Sequence, residues 1–525
     1  MTKLTTILTD QLENNLNENL FKDENMQQWF TGQDIKDDVT ALQKVFTDNK
    51  IGHGDQILVC MPNSAVFPAI NQAAWNLGII VHPISPSTPI AKLQEDRAKR
   101  LYPGMLLMPE LAKAWTGSEW RTELLNLHTS PELHFVLDED QLSKRDAADM
   151  TPVTDDDLGL IMNTSGTTGE PKRVGLTQSM LLNAAQHDAV SNHMDEHDIA
   201  MVTMPMFHIN AQVITTLATR VSGGKVLVTE KFSASRFWKQ IHDNGVTWVS
   251  VVPTIVSFLL LNEKANAAYE ELKDGINLRY VRSSLFALPE ERKELFEKRF
   301  DTQIVEGYGM TESASQCTIN PFDAPKIGSA GKAFGTDVAI LADDKITHDA
   351  NVKGEIVIRG DHVITRYMDP KRDAFKDGWF LTGDLGYFDE DAYLFVKGRK
   401  KEIISRGGEK VAPAAVENTL SELDFIEQLA VIGMPDDLYG EEVTAVLVIT
   451  TPGLNEADQR QAIFDYAKDH LAKFEAPTRV EFVREFPRNI TSKVLHPKLR
   501  DQSLMAGDPN EASFLKLSTK NLKNE

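Results

Sequence analysis

Residues 158–172, LGLIMNTSGTTGEPK, pass from an aliphatic run into a loop of glycines and hydroxyl side chains. The run Leu158–Asn163 is typical of a buried strand, and glycines after a strand let the backbone turn sharply and approach a ligand closely. Hydroxyl and exposed N–H groups donate to phosphate oxygens, and Lys172 adds a positive charge. The stretch therefore predicts a phosphate-binding loop, with an ordinary surface loop as the alternative for these residues alone. It is not of the Walker type, because the chain lacks G-x-x-x-x-G-K-[ST].

Short aliphatic or β-branched runs recur between helical stretches on both sides of this loop. They cover Gln56–Cys60, Leu158–Asn163, Ile199–Met204, Lys225–Thr229, Thr247–Val252 and Gln303–Glu306. Strands that are apolar throughout are typical of the buried sheets of layered α/β folds. Gly354–Arg359 and Tyr393–Val396 also predict strands, and the segment between them is rich in Gly, Asp, Lys and Pro, which indicates a smaller β-rich region.

The sequence pattern changes near residue 400. A basic stretch with glycines, Gly398–Gly408, precedes segments that predict, in order, a helix, two strands and a helix: Pro413–Leu423, Gln428–Gly433, Val443–Thr450 and Asn455–Leu471. We therefore expect an α/β domain of residues 1–400, a small α+β domain of residues 401–500, and a polar tail of residues 501–525.

The composition is that of an ordinary globular protein, and its charge excludes some classes of partner. Of 525 residues, 55 are Lys or Arg and 77 are Asp or Glu, which gives a net charge of -22. Such a surface repels phosphate backbones and anionic lipid headgroups, so we expect no nucleic-acid partner. The 2 cysteines, Cys60 and Cys317, are too few for a disulfide framework or a multi-thiolate zinc site. The N-terminus lacks a secretory signal, and the longest apolar stretch, Val246–Leu261, is shorter than the ~20 residues that cross a bilayer. We expect a soluble, cytoplasmic protein without integral membrane contact.

The segment TSGTTGEPK, residues 164–172, resembles the signature of the adenylate-forming (AMP-binding) superfamily, which includes acyl-CoA synthetases, nonribosomal peptide adenylation domains and luciferases. Four further segments match the family's motifs in the family's order: EGYGMTE (306–312), GWFLTGD (378–384), GRKK (398–401) and PRNITSK (487–493). The resemblance covers the chain from about Gly54 to Arg500. It implies a large N-terminal adenylate-forming domain and a small, mobile C-terminal domain.

The resemblance implies how these motifs bind ATP. The phosphate loop supplies Thr164, Ser165, Gly166, Thr167, Thr168, Gly169 and Lys172. In EGYGMTE, Gly307 precedes Tyr308, which is expected to stack on adenine. Thr311 is expected to contact the α-phosphate and Glu312 to hold Mg²⁺, which takes one or two carboxylates besides substrate phosphates. Taken alone, this heptapeptide is equally typical of a strand-to-turn junction.

The third and fourth motifs are expected to bind the ribose and to form the hinge. Asp384 and Arg399 are implied to contact the ribose hydroxyls, although an isolated Asp384 would more often be a turn or cap residue. Lys401 matches the residue about which the small domain swings. Gly408, beside Gly407, is expected to give this neighbourhood conformational freedom and to approach the thiol substrate.

The last motif supplies the lysine of the adenylation step. The resemblance assigns to Lys493 a bridge between the substrate carboxylate and the α-phosphate. Three departures from the family pattern stand out. Ser492 replaces a usual glycine, Arg173 follows Lys172 where glycine is common, and Ser283–Leu288, SSLFAL, replaces a stretch of smaller residues. Because of the last departure, no pocket residue of the family is assigned to Ser283–Leu288.

The acyl group has its own candidate residue. His208, beside Phe207, lies at the predicted end of a strand, where α/β folds bind ligands. Without the resemblance, a buried structural histidine would be the simpler interpretation. Residues 205–238, which contain PMFHINAQ and EKFSASRFW, are similar to crotonobetaine/carnitine–CoA ligases and to bacterial fatty acyl-CoA ligases. The spacing H-x-x-E-H at His193–His197 matches a zinc motif, but a strand is expected directly after it, so we do not expect a zinc-binding helix.

Together, the motifs are expected to converge around one adenine nucleotide and to catalyse acyl-CoA synthesis in two steps. A carboxylic acid attacks the α-phosphorus of MgATP to give an acyl-adenylate and pyrophosphate, and the thiol of CoA then displaces AMP. The cofactor is Mg²⁺, with ATP and CoA as co-substrates. Two alternatives remain: a ligase that loads a carrier-protein phosphopantetheine, and a catalytically silent nucleotide-binding homologue.

Overall fold

The computed structural model describes residues 1–164, 172–284, 288–369, 374–406, 409–423, 425–426, 428–436, 439–448, 455–488 and 494–506. Its α-helices are α1 (Lys3–Asn14), α2 (Gly32–Asp48), α3 (Val66–Asn76), α4 (Ile90–Lys99), α5 (Pro109–Ala112), α6 (Glu139–Leu142), α7 (Gln178–Ser191), α8 (Ala218–Val221), α9 (Ala234–Asn244), α10 (Pro253–Leu261), α11 (Glu263–Leu272), α12 (Glu290–Phe300), α13 (Pro413–Leu420), α14 (Glu456–His470) and α15 (His496–Ala506). A π-helix, Asn210–Leu217, and two 3₁₀ turns, Lys273–Gly275 and Thr311–Ser313, complete the helical segments described.

The strands are β1 (Asn19–Asp23), β2 (Gln28–Thr31), β3 (Gln56–Cys60), β4 (Ile80–Ile84), β5 (Gly104–Leu107), β6 (Trp120–Leu127), β7 (Ser130–Asp138), β8 (Leu158–Thr164), β9 (Lys172–Thr177), β10 (Ile199–Val202), β11 (Lys225–Val228), β12 (Trp248–Val251), β13 (Tyr280–Ser283), β14 (Gln303–Met310), β15 (Ser315–Ile319), β16 (Lys332–Ala333), β17 (Asp337–Ala342), β18 (Lys345–Thr347), β19 (Gly354–Arg359), β20 (Phe375–Lys376), β21 (Trp379–Phe388), β22 (Leu394–Arg399), β23 (Ile404–Arg406), β24 (Glu409–Val411), β25 (Gln428–Asp436), β26 (Gly440–Val448) and β27 (Arg479–Val483).

The chain folds into two compact units. The first comprises Met1–Ala339, Val357–Leu381 and Asp389–Leu394. The second comprises Ile340–Ile356, Thr382–Phe388 and the chain from Phe395 onward. Both units therefore contain segments that are distant in the sequence.

The larger unit contains two large sheets. One has the strand order β6-β7-β5-β3-β4-β8-β9, and the other has β16-β15-β14-β13-β12-β10-β11-β1-β2. The neighbours β10, β12, β13 and β14 pair in parallel, so their carboxyl ends meet at one edge, where open α/β sheets bind ligands.

Two smaller sheets complete the described strands. A six-stranded sheet runs β18-β17-β19-β21-β20 with β22 beside β21, and a five-stranded sheet runs β24-β23-β26-β25 with β27 beside β26.

The core of the larger unit follows from apolar residues on both faces of these parallel strands. All four residues of β12 are buried, as are all four of β13. On one face Trp248 stacks on Tyr280 with ring centroids 5.6 Å apart. On the other, Trp238 of α9 packs 4.6 Å from Phe300 of α12. Helix α9 ends at Asn244 and is capped by Gly245, whose φ of 62° is a left-handed conformation that glycine adopts without strain.

The strands and helices expected from the sequence are present with shifts of a few residues at their ends. Strand β3 coincides with the predicted Gln56–Cys60, and the four elements predicted between residues 413 and 471 are α13, β25, β26 and α14. One difference concerns the expected polar tail, because α15 continues to Ala506 and buries Ser503. The mixed polar sequence of this helix has no apolar stripe that would have indicated it.

Two further observations bear on the setting of the protein. Among the described residues, every helix is too short or too polar to cross a bilayer. Cys60 and Cys317 are free, buried thiols, and burial raises the pKa of each to about 12. Both thiols are therefore poor nucleophiles.

Candidate active site

The turn that follows β14 carries a carboxylate held by a tyrosine. Glu312 lies in the 3₁₀ turn Thr311–Ser313 and is half-buried. The phenol of Tyr367 donates a hydrogen bond to Glu312 Oε1 over 2.7 Å. Lys172 Nζ donates to the same phenol over 3.3 Å and lies 4.8 Å from the centre of its ring. The arrangement fixes the carboxylate on one side and leaves a cation close by.

Close backbone packing explains the glycines around Tyr308. A Cβ on Gly307 would lie 2.8 Å from the Thr318 carbonyl oxygen, and one on Gly309 would lie 2.3 Å from that of Ser315. Both contacts are shorter than side chains tolerate, so the antiparallel partner β15 can approach β14 only because glycines stand there. Tyr308 is half-buried between them. The half-buried Thr311 follows directly at the start of the turn.

The phosphate loop predicted from the sequence connects two paired strands. Thr164 ends β8 and lies opposite Lys172, which begins β9 in antiparallel register. The loop residues Ser165, Gly166, Thr167, Thr168 and Gly169 lie outside the described residues. Arg173, a departure from the family pattern, forms an ion pair of 3.2 Å with Asp369 Oδ1. This arginine therefore anchors the start of β9.

In the second unit, Asp384 and Arg399 form an ion pair. Asp384 Oδ1 lies 2.8 Å from Arg399 Nε, and the aspartate is buried. Arg399 Nη1 also donates to the Thr382 carbonyl over 3.0 Å, while the Thr382 hydroxyl accepts from the Asp384 N–H over 3.0 Å. Gly383 between them has a φ of 75°. The sequence predicted a common role for Asp384 and Arg399, and the structure brings the two together.

His208 lies beside a polar group of side chains at the carboxyl edge of the parallel strands. Burial lowers the pKa of His208 to about 4, so its imidazole is neutral near neutral pH. Asn210, two residues later, donates to Ser284 Oγ over 3.2 Å and so joins the start of the π-helix to the end of β13. Within the residues that the structure describes, His208 Nε2, Asn210 Oδ1 and Ser283 Oγ are buried without a hydrogen-bond partner. Buried polar atoms of this kind are costly unless a water or ligand satisfies them.

A buried arginine on β13, one residue before Ser283, was not found by sequence reasoning. Arg282 is 1% exposed, and its Nε and Nη2 donate to Gln316 Oε1 over 3.2 and 2.9 Å. Its Nη2 would lie 3.3 Å from a Cβ on Gly307, which places the guanidinium under the EGYGMTE strand. Among the described residues, Nη1 has no hydrogen-bond partner. The signal in the sequence was an arginine inside the otherwise uncharged strand run 280–283.

The charge of Arg282 has a buried acidic partner. Asp188 on α7 interacts electrostatically with Arg282. Burial raises the pKa of Asp188, whereas Arg282 and the Ser315 hydroxyl lower it. Burial also lowers the pKa of Arg282. Among the described residues, Asp188 Oδ1 and Arg282 Nη1 both lack a hydrogen-bond partner.

Comparison with known proteins shows the family to which the chain belongs. The family model for AMP-binding enzymes matches residues 8–368, and the model for the AMP-binding enzyme C-terminal domain matches residues 415–493. The chain belongs to the AMP-binding enzyme family. The first matched range includes the candidate phosphate loop, Glu312 and His208, and the second matched range ends at Lys493.

Relatives within the family are acid–CoA ligases. The Sulfoacetate–CoA ligase of Cupriavidus necator is 33% identical over 88% of this chain and 90% of its own length. The Crotonobetaine/carnitine–CoA ligase of Proteus mirabilis is 32% identical over 67% of this chain and 68% of its own length. The solved structure of a Mycobacterium tuberculosis fatty acyl CoA synthetase superposes with a TM-score of 0.68 at 28% identity and covers 95% of this chain and 98% of that one.

These findings confirm the function and the fold class expected from the sequence. The family member described here is an ATP-dependent acid–CoA ligase that forms an acyl-adenylate and then an acyl-CoA. Its architecture is the large α/β domain followed by the small C-terminal domain of that family. ATP and CoA fit as its substrates. The roles assigned to individual residues stay predictions, and Gly408 and Lys493 lie outside the described residues.

Proposed function

We propose that this ligase activates a short carboxylic acid that bears a second anionic group. The environment of Arg282 supports this choice. Its guanidinium is buried, and its Nη1 has no hydrogen-bond partner among the described residues, which favours an anionic ligand. A polar acid also suits the unsatisfied atoms of His208, Asn210 and Ser283, which are buried without a partner among the described residues. A long alkyl chain would leave all of these groups without partners, which is unfavourable in a desolvated pocket.

The name of one relative supports the same substrate class. The name of the Cupriavidus necator relative specifies sulfoacetate, which carries a sulfonate and a carboxylate. In this chain, the reacting carboxylate is proposed to lie near His208, with its second anionic group at Arg282. A neutral His208 would donate one N–H to the reacting carboxylate without adding a positive charge. Only the second anionic group of the acid would then meet a cation, Arg282, and this difference would distinguish the two groups.

The nucleotide is proposed to bind through the family motifs. Tyr308 stacks on adenine, Asp384 and Arg399 hold the ribose, and the residues flanking the phosphate loop, Thr164 and Lys172, contact phosphate. Glu312 fits a Mg²⁺ ion that arrives with ATP, because Mg²⁺ takes one or two carboxylates besides substrate phosphates, and the ion would offset phosphate charge during the attack on the α-phosphorus.

The proposed reaction has two half-steps that use different residues. Adenylation brings two anions together, so the charges of Lys172 and Lys493 lower the barrier by stabilising the crowded phosphorus. Thr311 would hold the α-phosphate in line with the attacking carboxylate. Movement about Lys401 would then withdraw Lys493 and bring Gly408 towards the thiol of CoA. The domain boundary at residues 400 and 401 is part of this proposal.

An acid panel tests the substrate class. Carboxylate-dependent exchange of labelled pyrophosphate into ATP would be measured with sulfoacetate, malonate and succinate against acetate, butyrate and palmitate. We expect the acids with two anionic groups to give the highest kcat/KM. Preference for butyrate or palmitate would contradict the proposal and favour a fatty acyl-CoA ligase. Thioester formation with free CoA and with a phosphopantetheinylated carrier protein then identifies the thiol.

Variants at Arg282 connect the preference to the structure. Arg282→Met should lower kcat/KM for the preferred acid roughly 10- to 100-fold, because a hydrogen bond to a charged group contributes about 1.5–3 kcal/mol. Arg282→Lys keeps the charge and should retain part of the selectivity. Circular dichroism of each variant separates lost recognition from lost folding. An unchanged ranking of acids in a folded Arg282→Met variant would remove the role given to this residue.

A further inference from the structure

We propose that His187, Asp361 and His362 form a binding site for a divalent transition-metal ion, with Zn²⁺ as the best-matched cation. One ligand atom from each of the three side chains lies within 4.8 Å of the others. All three residues belong to the larger unit. The proposal concerns a site separate from the proposed acid and nucleotide contacts and does not depend on them.

The distances within the cluster fit tetrahedral coordination. Asp361 Oδ1 lies 3.2 Å from His187 Nε2 and 3.0 Å from His362 Nδ1. Zinc binds nitrogen and oxygen donors at about 2.0–2.2 Å, so two donors in a tetrahedral site stand roughly 3.3–3.5 Å apart. Small side-chain movements would therefore open enough room for the ion. Two imidazoles and a carboxylate also form the donor set of known catalytic zinc sites.

Neighbouring groups hold the ligands in place. Thr336 Oγ1 lies 2.9 Å from His362 Nε2, the ring nitrogen that faces away from the cluster. A ligand histidine usually makes such a hydrogen bond through its second nitrogen, which fixes the ring and its tautomer. A Cβ on Gly335 would lie only 2.4 Å from Cγ of His187, and Gly335 has a φ of 68°, so glycine gives the His187 ring its space.

The cluster has access to solvent and a structural connection to Glu312. The side chain of Asp361 is 56% exposed and that of His187 is 29% exposed, whereas His362 is fully buried. An ion can therefore enter from one side and complete its coordination with water. It would join α7 to residues 361–364, and the Ile364 N–H donates to the Glu312 carbonyl over 2.9 Å. The bound ion would restrain the backbone beside that carboxylate.

Direct metal binding by the full chain tests the site. Chelator-treated protein without ATP would be titrated with Zn²⁺ in equilibrium dialysis and with Co²⁺, whose visible spectrum reports its coordination geometry. The Glu312→Gln background removes the other candidate carboxylate. We expect one equivalent of Zn²⁺ and a four-coordinate Co²⁺ spectrum in this background. His187→Gln or Asp361→Asn should weaken binding at least about tenfold, and Thr336→Val should weaken it roughly 10- to 100-fold.

His197→Gln is the matched control, because this exposed histidine belongs to the H-x-x-E-H segment and lies outside the cluster. It should bind zinc as the parent does. Circular dichroism before titration confirms that each variant is folded, and Thr336→Val leaves all three ligands in place. The proposal is overturned if the parent binds no zinc, or if folded His187→Gln, Asp361→Asn and Thr336→Val bind it as tightly as the parent. The histidines would then be hydrogen-bond donors to Asp361 only.

Discussion

The Tyr367 hydroxyl lies between the Lys172 ammonium and the Glu312 carboxylate, accepting from the first over 3.3 Å and donating to the second over 2.7 Å. The two charged residues come from motifs that are far apart in the chain. A phenol that is hydrogen-bonded to both residues holds the cation and the anion at a fixed separation, which is a form of preorganisation.

Removal of this bridge should weaken the use of MgATP. In Tyr367→Phe, we expect the KM for MgATP to rise roughly tenfold, because a hydrogen bond to a charged group contributes about 1.5–3 kcal/mol. Pyrophosphate exchange at varied Mg²⁺ measures the effect. Tyr439→Phe changes an exposed tyrosine and serves as control. Equal KM values for both variants would show that the bridge does not position Glu312.

The Asp384–Arg399 pair predicts a dependence on the ribose hydroxyls. Asp384→Asn should raise the KM for ATP about 10- to 100-fold, since one charged acceptor of the hydroxyls is lost. With 2′-deoxyATP, the ratio of the KM of the variant to that of the parent should be smaller than with ATP, because one ribose hydroxyl is already missing. An equal ratio with both nucleotides would contradict the ribose contact.

Lys493 should act in the first half-step only. We expect Lys493→Ala to slow pyrophosphate exchange roughly 100- to 1,000-fold, as loss of a preorganised charge at the reacting centre does. Formation of thioester from a supplied acyl-adenylate should be nearly unchanged. Lys498→Ala removes an exposed lysine of α15 as a control. Equal losses in both half-steps would refute the assignment.

The hinge predicts the opposite pattern. Lys401→Pro restricts φ at this residue and the conformation of Lys400 before it. It should therefore impair the CoA step more than pyrophosphate exchange, whereas Lys401→Ala should impair neither. Single-turnover measurements of each half-step give the comparison. A CoA step unaffected by proline would place the hinge elsewhere.

The buried Glu306 predicts how stability depends on pH. Burial raises the pKa of Glu306 to about 7, against the opposing charge of Lys293. This pKa in the folded protein exceeds the pKa in the unfolded chain. The contribution of Glu306 to the free energy of unfolding is therefore complete in acid, where the carboxyl is protonated, and is lost as the pH rises towards 7. Glu306→Gln should therefore gain on the order of 3 kcal/mol relative to the parent between about pH 5 and pH 8.

Hydrogen exchange in β14 under increasing urea measures this difference locally. The exposed Glu294 of α12 supplies the control variant Glu294→Gln, which should show no comparable change between the two pH values. A Glu306→Gln variant whose stability follows that of the parent at both pH values would contradict the raised pKa.

The sequence by itself determined the family, the reaction and most of the elements. The groups expected to bind the nucleotide occur in short segments such as EGYGMTE, so their order and spacing can be read directly from the sequence. Apolar strands such as β12 were equally clear, because burial on both faces leaves a continuous run of apolar residues.

The tertiary structure decided which distant residues meet. Tyr367 lies 55 residues from Glu312 in the chain, Arg282 lies 34 from Gln316, and His187 lies 174 from Asp361. No local period or motif connects such pairs, because sheet order and loop paths bring them together. The proposed acid-binding cation and the proposed metal site therefore depend on chain topology, whereas the groups expected to bind ATP lie in short runs of consecutive residues.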